Sequence, residues 1–214
     1  SQLGDYFVND AFGSVHRAHS STSIIADFFK GKKFAGILLE KEIKSIDRVL
    51  KNGENPITAI VGGAKVSSKI TVIENLLERI DYLIIGGGMV YTFIRAKGGQ
   101  IGDSICEDEF CEYSLKIIEL ANQKGVKLFL PEDVVIGNKF SEKAEINFSS
   151  VYKIPSGWQG LDAGPKSIKT FSQIIQKSNT ILWNGPIGVF ELEPFSKGTK
   201  ILAEEIVKRT GRGA

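Results

Sequence analysis

From about residue 55 onward, short apolar runs alternate with stretches whose apolar positions recur every three or four residues. The runs predict buried strands, the periodic stretches predict helices with one apolar stripe, and their alternation predicts an α/β fold with a mainly parallel sheet. Ile57 to Gly63 (ITAIVGG) is the first such strand, and it feeds a helix whose stripe is Val66, Ile70, Ile73, Leu77 and Ile80. Tyr82 to Ile85 is the next strand; it ends in three glycines before a helical stretch with Met89 and Phe93 on one side. A third helix is expected near Glu107 to Lys124, closed by Gly125, followed by a strand at Val126 to Leu130. Val134 to Pro155 reads as irregular β structure at an edge. A helix opening at Pro165, the strand Thr180 to Trp183 and a helix over Ser196 to Lys208 complete the pattern.

The first 50 residues follow another rule. Tyr6 to Ala11 reads as a lone strand, the residues after it as a helix and a strand, and Lys41 to Lys51 as a charged linking helix. About 35 residues cannot bury a core alone, so they are expected to belong to a second domain whose remainder lies outside this chain.

Composition narrows the function classes. With 214 residues, 42% of them hydrophobic, and a net charge of +2 without a long basic run, the chain suits small-molecule partners rather than nucleic acid. The sequence has no apolar stretch long enough to span a bilayer and no signal-peptide pattern at its start, so no membrane partner and a cytoplasmic location are expected. Cys106 and Cys111, five apart at a predicted helix start, should point in different directions and remain free thiols, with no disulfide or metal clasp. His16 and His19 could share a helix face, but no third ligand accompanies them.

The segment Gly62-Gly63-Ala64-Lys65-Val66-Ser67-Ser68-Lys69 puts two lysines at what reads as the first turn of a helix. Cations there oppose the helix dipole, by about 0.3–1 kcal/mol each, and like charges four apart add to the penalty. An anionic ligand, most simply a phosphate, would resolve the conflict; solvated surface lysines are the alternative. Gly86-Gly87-Gly88 lets a backbone approach a flat ligand or form a tight turn. A dinucleotide fingerprint would need its third glycine at Tyr91, which weighs against an NAD-dependent oxidoreductase. Asn184 to Glu191 (NGPIGVFE) mixes apolar walls with polar contacts suited to a sugar and base. Arg17, among His and hydroxyl residues after the first strand, suits a carboxylate or phosphate.

In order, NDAFGSVHRAHSS, GGAKVSSKI, IIGGGMVYTF, LPEDV, GWQGLDAGP and WNGPIGVFE resemble the phosphoglycerate kinase family, motif by motif and over nearly the whole chain. The resemblance implies a three-layer α/β lobe with helices on both faces of the sheet, plus a remnant of a second lobe. It assigns 1–40 to the substrate-binding lobe, 41–53 to an interdomain helix and hinge, and 54–214 to the nucleotide-binding lobe. It implies reversible phosphoryl transfer between 1,3-bisphosphoglycerate and ADP, giving 3-phosphoglycerate and ATP, by an enzyme that is monomeric when intact. Arg17 would contact the phosphoglycerate and help neutralise the transferring phosphoryl group, Lys65 would stabilise transition-state charge, and Lys69 would hold nucleotide phosphates. Gly63, Ala64, Gly86, Gly87, Gly160 and Leu161 would line the adenine pocket, with Asn184, Pro186, Val189 and Glu191 along the ribose and base. Mg2+ would accompany ADP or ATP, but the family's basic substrate pocket would precede Ser1 and its G-G-G-D magnesium carboxylate would follow Ala214, so this chain alone is expected to be an inert nucleotide-binding piece with no metal ligand. Ser68 stands where the family usually has aspartate, which bears on how Lys69 is oriented, and Val15 replaces a usual small residue.

Overall fold

The computed structural model describes residues 4–213. It divides into two compact units, Ser1–Asn52 and Gly53–Ala214.

In the first unit, β1 (Phe7–Asn9) pairs in parallel with β2 (Lys33–Ala35), and α1 (Ile37–Asn52) follows. The helix starts four residues earlier than its charge pattern suggests. The Asp10 carboxylate accepts the Leu39 amide at 2.8 Å, which satisfies one of the donors a helix start leaves open. The helix expected between the strands is replaced by two 3-10 turns, Phe12–Ser14 and Ile24–Phe28, so His16 and His19 share no helix face.

The second unit is built on a four-stranded parallel sheet. Its strands are β3 (Ile57–Val61), β4 (Tyr82–Ile85), β6 (Lys127–Phe129) and β11 (Thr180–Asn184), in the spatial order β11-β3-β4-β6. The crossovers carry α2 (Ile70–Leu76), α3 (Val90–Ala96), β5 (Gln100–Ile101), α4 (Cys111–Gln123) and α5 (Pro165–Lys177), and α6 (Lys197–Thr210) follows the last strand. Strand alternation divides the core. Ile60 and Ile84 face one way and pack with Ile168, Phe171, Ile174 and Ile175 of α5 and Leu202 of α6. Ala59, Val61, Leu83 and Ile85 point the other way and are equally buried, as are Ile73 of α2, Phe93 and Ile94 of α3 and Ile117 of α4. The result is the expected sheet with flanking helices.

The stretch read as irregular is more ordered than its sequence suggests. β7 (Asp133–Gly137) lies between β8 (Ile146–Ser150) and β10 (Gln159–Ala163) in an antiparallel sheet, while β9 (Lys153–Ile154) pairs with β5. Val134 to Gly137 are buried and β8 is largely exposed, so the period-2 signal is blurred in both strands. Asp133 links this sheet to α5: its carboxylate accepts the Lys166 and Ser167 amides at 3.1 and 2.8 Å, beside Pro165 in the first turn. Among the described residues no helix is long and apolar enough to cross a membrane.

Candidate nucleotide site

The order β11-β3-β4-β6 fixes where a ligand can sit. The chain leaves β3 toward β4 on one side, then returns from the far side of the sheet to place β11 on the other. The loops after β3 and β11 therefore part at their carboxyl ends, where open α/β sheets form binding crevices. A cleft of about 390 Å3 lies there, bordered by Gly63 and Ala64 after β3, Gly87 and Gly88 after β4, and Pro186 to Val189 after β11.

Backbone contacts lock the three loops together. The Gly62 amide donates to the Asn184 carbonyl at 2.9 Å, the Gly87 amide to Ile187 at 3.0 Å, and the Met89 amide to Gly63 at 3.0 Å. The antiparallel sheet joins them through the Val189 amide, which donates to Leu161 at 2.8 Å. These approaches are too close for side chains. At Gly62 a Cβ would lie 1.9 Å from the Pro186 carbonyl oxygen, and at Gly87, whose φ is +73°, one would lie 2.6 Å from the Gly63 backbone.

Eight of the residues expected at a nucleotide line this cleft: Gly63, Ala64, Gly87, Gly160, Leu161, Pro186, Val189 and Glu191. Gly86 does not. A side chain there would run into Ile187, so a glycine lets the two loops pack together. Lys69 and Asn184 are outside the lining and hydrogen-bond to each other, the ammonium donating to the amide oxygen. Arg17 is exposed in the first unit, its Nε donating to His16 at 3.4 Å.

The cleft also recruits residues that were not expected at the nucleotide: Tyr91 and Gln159 from within the quoted motifs, and Ile105 and Phe140 from outside them. Phe140 lies on an irregular turn and Ile105 in a loop, and neither has a periodic neighbour to mark it. Tyr91 occupies the position a dinucleotide fingerprint reserves for glycine. Its ring is buried, and its hydroxyl fills the space a side chain at Gly160 would need. Burial, reinforced by the nearby Asp162 charge, pushes the Tyr91 hydroxyl pKa upward and keeps it protonated.

The lysine pair departs from expectation. Residues 62–69 form a loop and turns, α2 begins only at Ile70, and Lys69 occupies the position before it. Lys65 is therefore not in the first helical turn, and the dipole penalty falls on Lys69 alone. The hydroxyls explain the delay: Ser68 Oγ donates to the Lys65 carbonyl at 2.9 Å, a local bond that competes with the helix. Ser67 is drawn aside by Glu107, whose carboxylate accepts its amide at 3.0 Å and its hydroxyl at 2.6 Å. Partial burial works against the Glu107 charge. The bonds from Ser67 and Val66 and the nearby Lys65 ammonium outweigh it and hold the carboxyl below its usual range. With serine at 68, Lys69 takes its orientation from Asn184.

The cysteines are free thiols, as expected, but they do not point in different directions. Because Glu107 to Phe110 form a loop and a 3-10 turn, with α4 starting at Cys111, the two thiols converge on Asp108. The three candidate ligand atoms lie within 4.8 Å of one another. Desolvation is the main cause that raises the Cys106 thiol to about 11; a Thr92 hydrogen bond opposes it, and Asp108 and Cys111 add to it.

Asp162 lies behind the cleft, 3% exposed, and accepts amides from Ala163 at 2.9 Å and Gly198 at 2.7 Å. Burial raises its pKa to about 6 from 3.8, with both amide bonds opposing the shift. A folded-state value above the unfolded one means the stabilising contribution is complete below the unfolded value and lost as pH rises through the folded one. Between pH 7 and pH 4 the chain should therefore gain about 2 kcal/mol relative to Asp162→Asn. Urea unfolding of both proteins at the two pH values checks this, and parallel pH profiles would refute it.

Comparison with known proteins agrees with this geometry. A family model for phosphoglycerate kinase matches residues 1–214. A curated phosphoglycerate kinase of Porphyromonas gingivalis is 49% identical over 215 residues, covering 100% of this chain and 51% of the relative. The solved phosphoglycerate kinase of Coxiella burnetii matches with a TM-score of 0.85 at 42% identity, over 96% of this chain and 53% of that one. That of Pyrococcus horikoshii matches at 0.78 and 28%, over 96% and 52%. The chain thus spans about half the length of the curated relative it matches. With its motifs in order, its cleft at the sheet's switch point and a family match from first residue to last, the chain belongs to the phosphoglycerate kinase family.

Proposed function

We propose that a full-length protein carrying this chain is a cytoplasmic, monomeric phosphoglycerate kinase that transfers a phosphoryl group reversibly between 1,3-bisphosphoglycerate and ADP. In this reading residues 1–40 belong to the lobe that binds 3-phosphoglycerate, 41–53 to the interdomain helix, and 54–214 to the nucleotide-binding lobe. The carrying observation is the mainly apolar, backbone-walled cleft, with Lys69 passing over Gly63 at its rim. Walls of this kind suit a purine and its ribose, and the ammonium suits the phosphates that follow. Lys69 holds the phosphate end, with Asn184 orienting it; Asn184, Pro186, Val189 and Glu191 run along the ribose and base, and Gly63, Ala64, Gly87, Gly160 and Leu161 line the adenine; Gly86 acts by shaping the loop.

Chemistry of this type rests on positioning and charge neutralisation. Lys65 meets the charge of the transferring group, and Arg17 serves the phosphoglycerate from the other lobe. Mg2+ would travel with the nucleotide phosphates. The lysine corner does not supply its carboxylate: both Glu107 oxygens are engaged by Ser67, and the Asn184 oxygen is engaged by Lys69.

Calorimetry on the 214-residue chain tests the reading. ADP should bind, and Lys69→Ala should weaken it about tenfold, the worth of about 1.4 kcal/mol, while leaving adenosine unchanged. Equal loss for ADP and adenosine would remove Lys69 from the phosphate role. The chain alone should give no turnover in a coupled assay; measurable turnover would mean that these residues already suffice for catalysis.

A further inference from the structure

Cys106, Asp108 and Cys111 lie outside the cleft, and nothing in the proposed reaction uses them. Their Sγ, carboxylate oxygen and Sγ atoms converge within 4.8 Å. Cys106 Sγ is 3.5 Å from Asp108 Oδ1, close to the roughly 3.5–3.8 Å between neighbouring ligands of a tetrahedral zinc ion. The arrangement is held from outside. The Glu107 amide donates to Thr92 Oγ1 at 3.1 Å, Cys111 Sγ faces the Thr92 carbonyl at 3.8 Å, and Thr92 is 1% exposed on α3. A 3-10 turn over Asp108–Phe110 then folds the chain back, so the backbone is already set for three ligands at positions 106, 108 and 111.

We infer that Cys106, Asp108 and Cys111 form a binding site for one thiophilic divalent cation of the zinc class, with water completing its shell. Two thiolates and a carboxylate are a donor set suited to such an ion. Binding displaces one proton from each thiol, so M2+ enters, two protons leave, and no oxidant is needed. The charges are favourable: Glu107, Asp108, Glu109 and Glu112 crowd six residues. Against them stands Arg95, 3.7 Å from Asp108; both partners are more than half exposed, and such a pair is weak enough for a cation to displace. Ile105 lines the cleft and Glu107 holds Ser67, so the bound ion would brace a loop that touches the lysine segment.

The chain has only two cysteines and two histidines, which makes the test specific. Cadmium titrated into the reduced 214-residue chain should produce an ultraviolet thiolate charge-transfer band that saturates at one ion per chain. Zinc should compete for the same site with a Kd below about 1 μM near neutral pH. Cys106→Ser and Cys111→Ser should each weaken binding by about 100-fold or more, and Asp108→Asn by about tenfold. Unchanged far-ultraviolet dichroism of the variants would show that the loss is local. Absence of the band in the unmodified chain would overturn the site without recourse to any variant. So would binding that survives both serine changes but disappears in a His16→Gln/His19→Gln variant.

Discussion

Lys65→Ala in a full-length enzyme carrying this chain should lower kcat by about 10^2 to 10^3-fold while changing ADP affinity less than about threefold. The asymmetry follows from position. Lys65 is exposed in a loop, outside the cleft lining, whereas Lys69 is fixed at the rim by Asn184. A cation that bound the ground state strongly would be expected in the same fixed geometry as Lys69. One that acts on charge developing during transfer contributes to kcat instead. Steady-state kinetics together with ADP calorimetry separate the two. A variant with normal kcat and weakened ADP binding would exchange the roles of the two lysines.

Gly62→Ala should destabilise the chain by about 3 kcal/mol in urea unfolding and weaken ADP by tenfold or more. The added Cβ would meet the Pro186 carbonyl oxygen at 1.9 Å, its carbon at 2.6 Å and the Gly185 oxygen at 2.7 Å. All three atoms are backbone, so no rotamer change relieves the contact. The strand ends would have to separate, breaking the Gly62 to Asn184 hydrogen bond and displacing Pro186 and Ile187 from the cleft wall. Unfolding at the same urea concentration as the unsubstituted chain would show that these loops are not held as closely as described.

The two predictions differ in how far the sequence could reach them. Lys65 stands out in the chain itself, as a cation after two glycines, although the helix that gave it meaning starts five residues later. Gly62 does not stand out from the other glycines. Its importance comes from Pro186, more than 120 residues away. The cysteines illustrate the same limit: their separation of five means divergence on a helix and convergence around a 3-10 turn, and only the anchoring by Thr92 selects the second.

The alternation of apolar runs and helical stripes determined the parallel α/β core, because burying strands and one-faced helices leaves few other solutions. The motifs determined the family resemblance, and eight of the eleven residues expected at a nucleotide lie along the cleft. Tertiary structure alone decided that Tyr91, Ile105 and Phe140 complete the wall, that Gly86 packs against Ile187 rather than facing the cleft, and that Glu107 reaches back across 40 residues to hold Ser67. Those outcomes depend on which loops meet at the end of the sheet. Local periodicity reports the face a residue buries within its own element, and it carries no record of the distant backbone that closes over it.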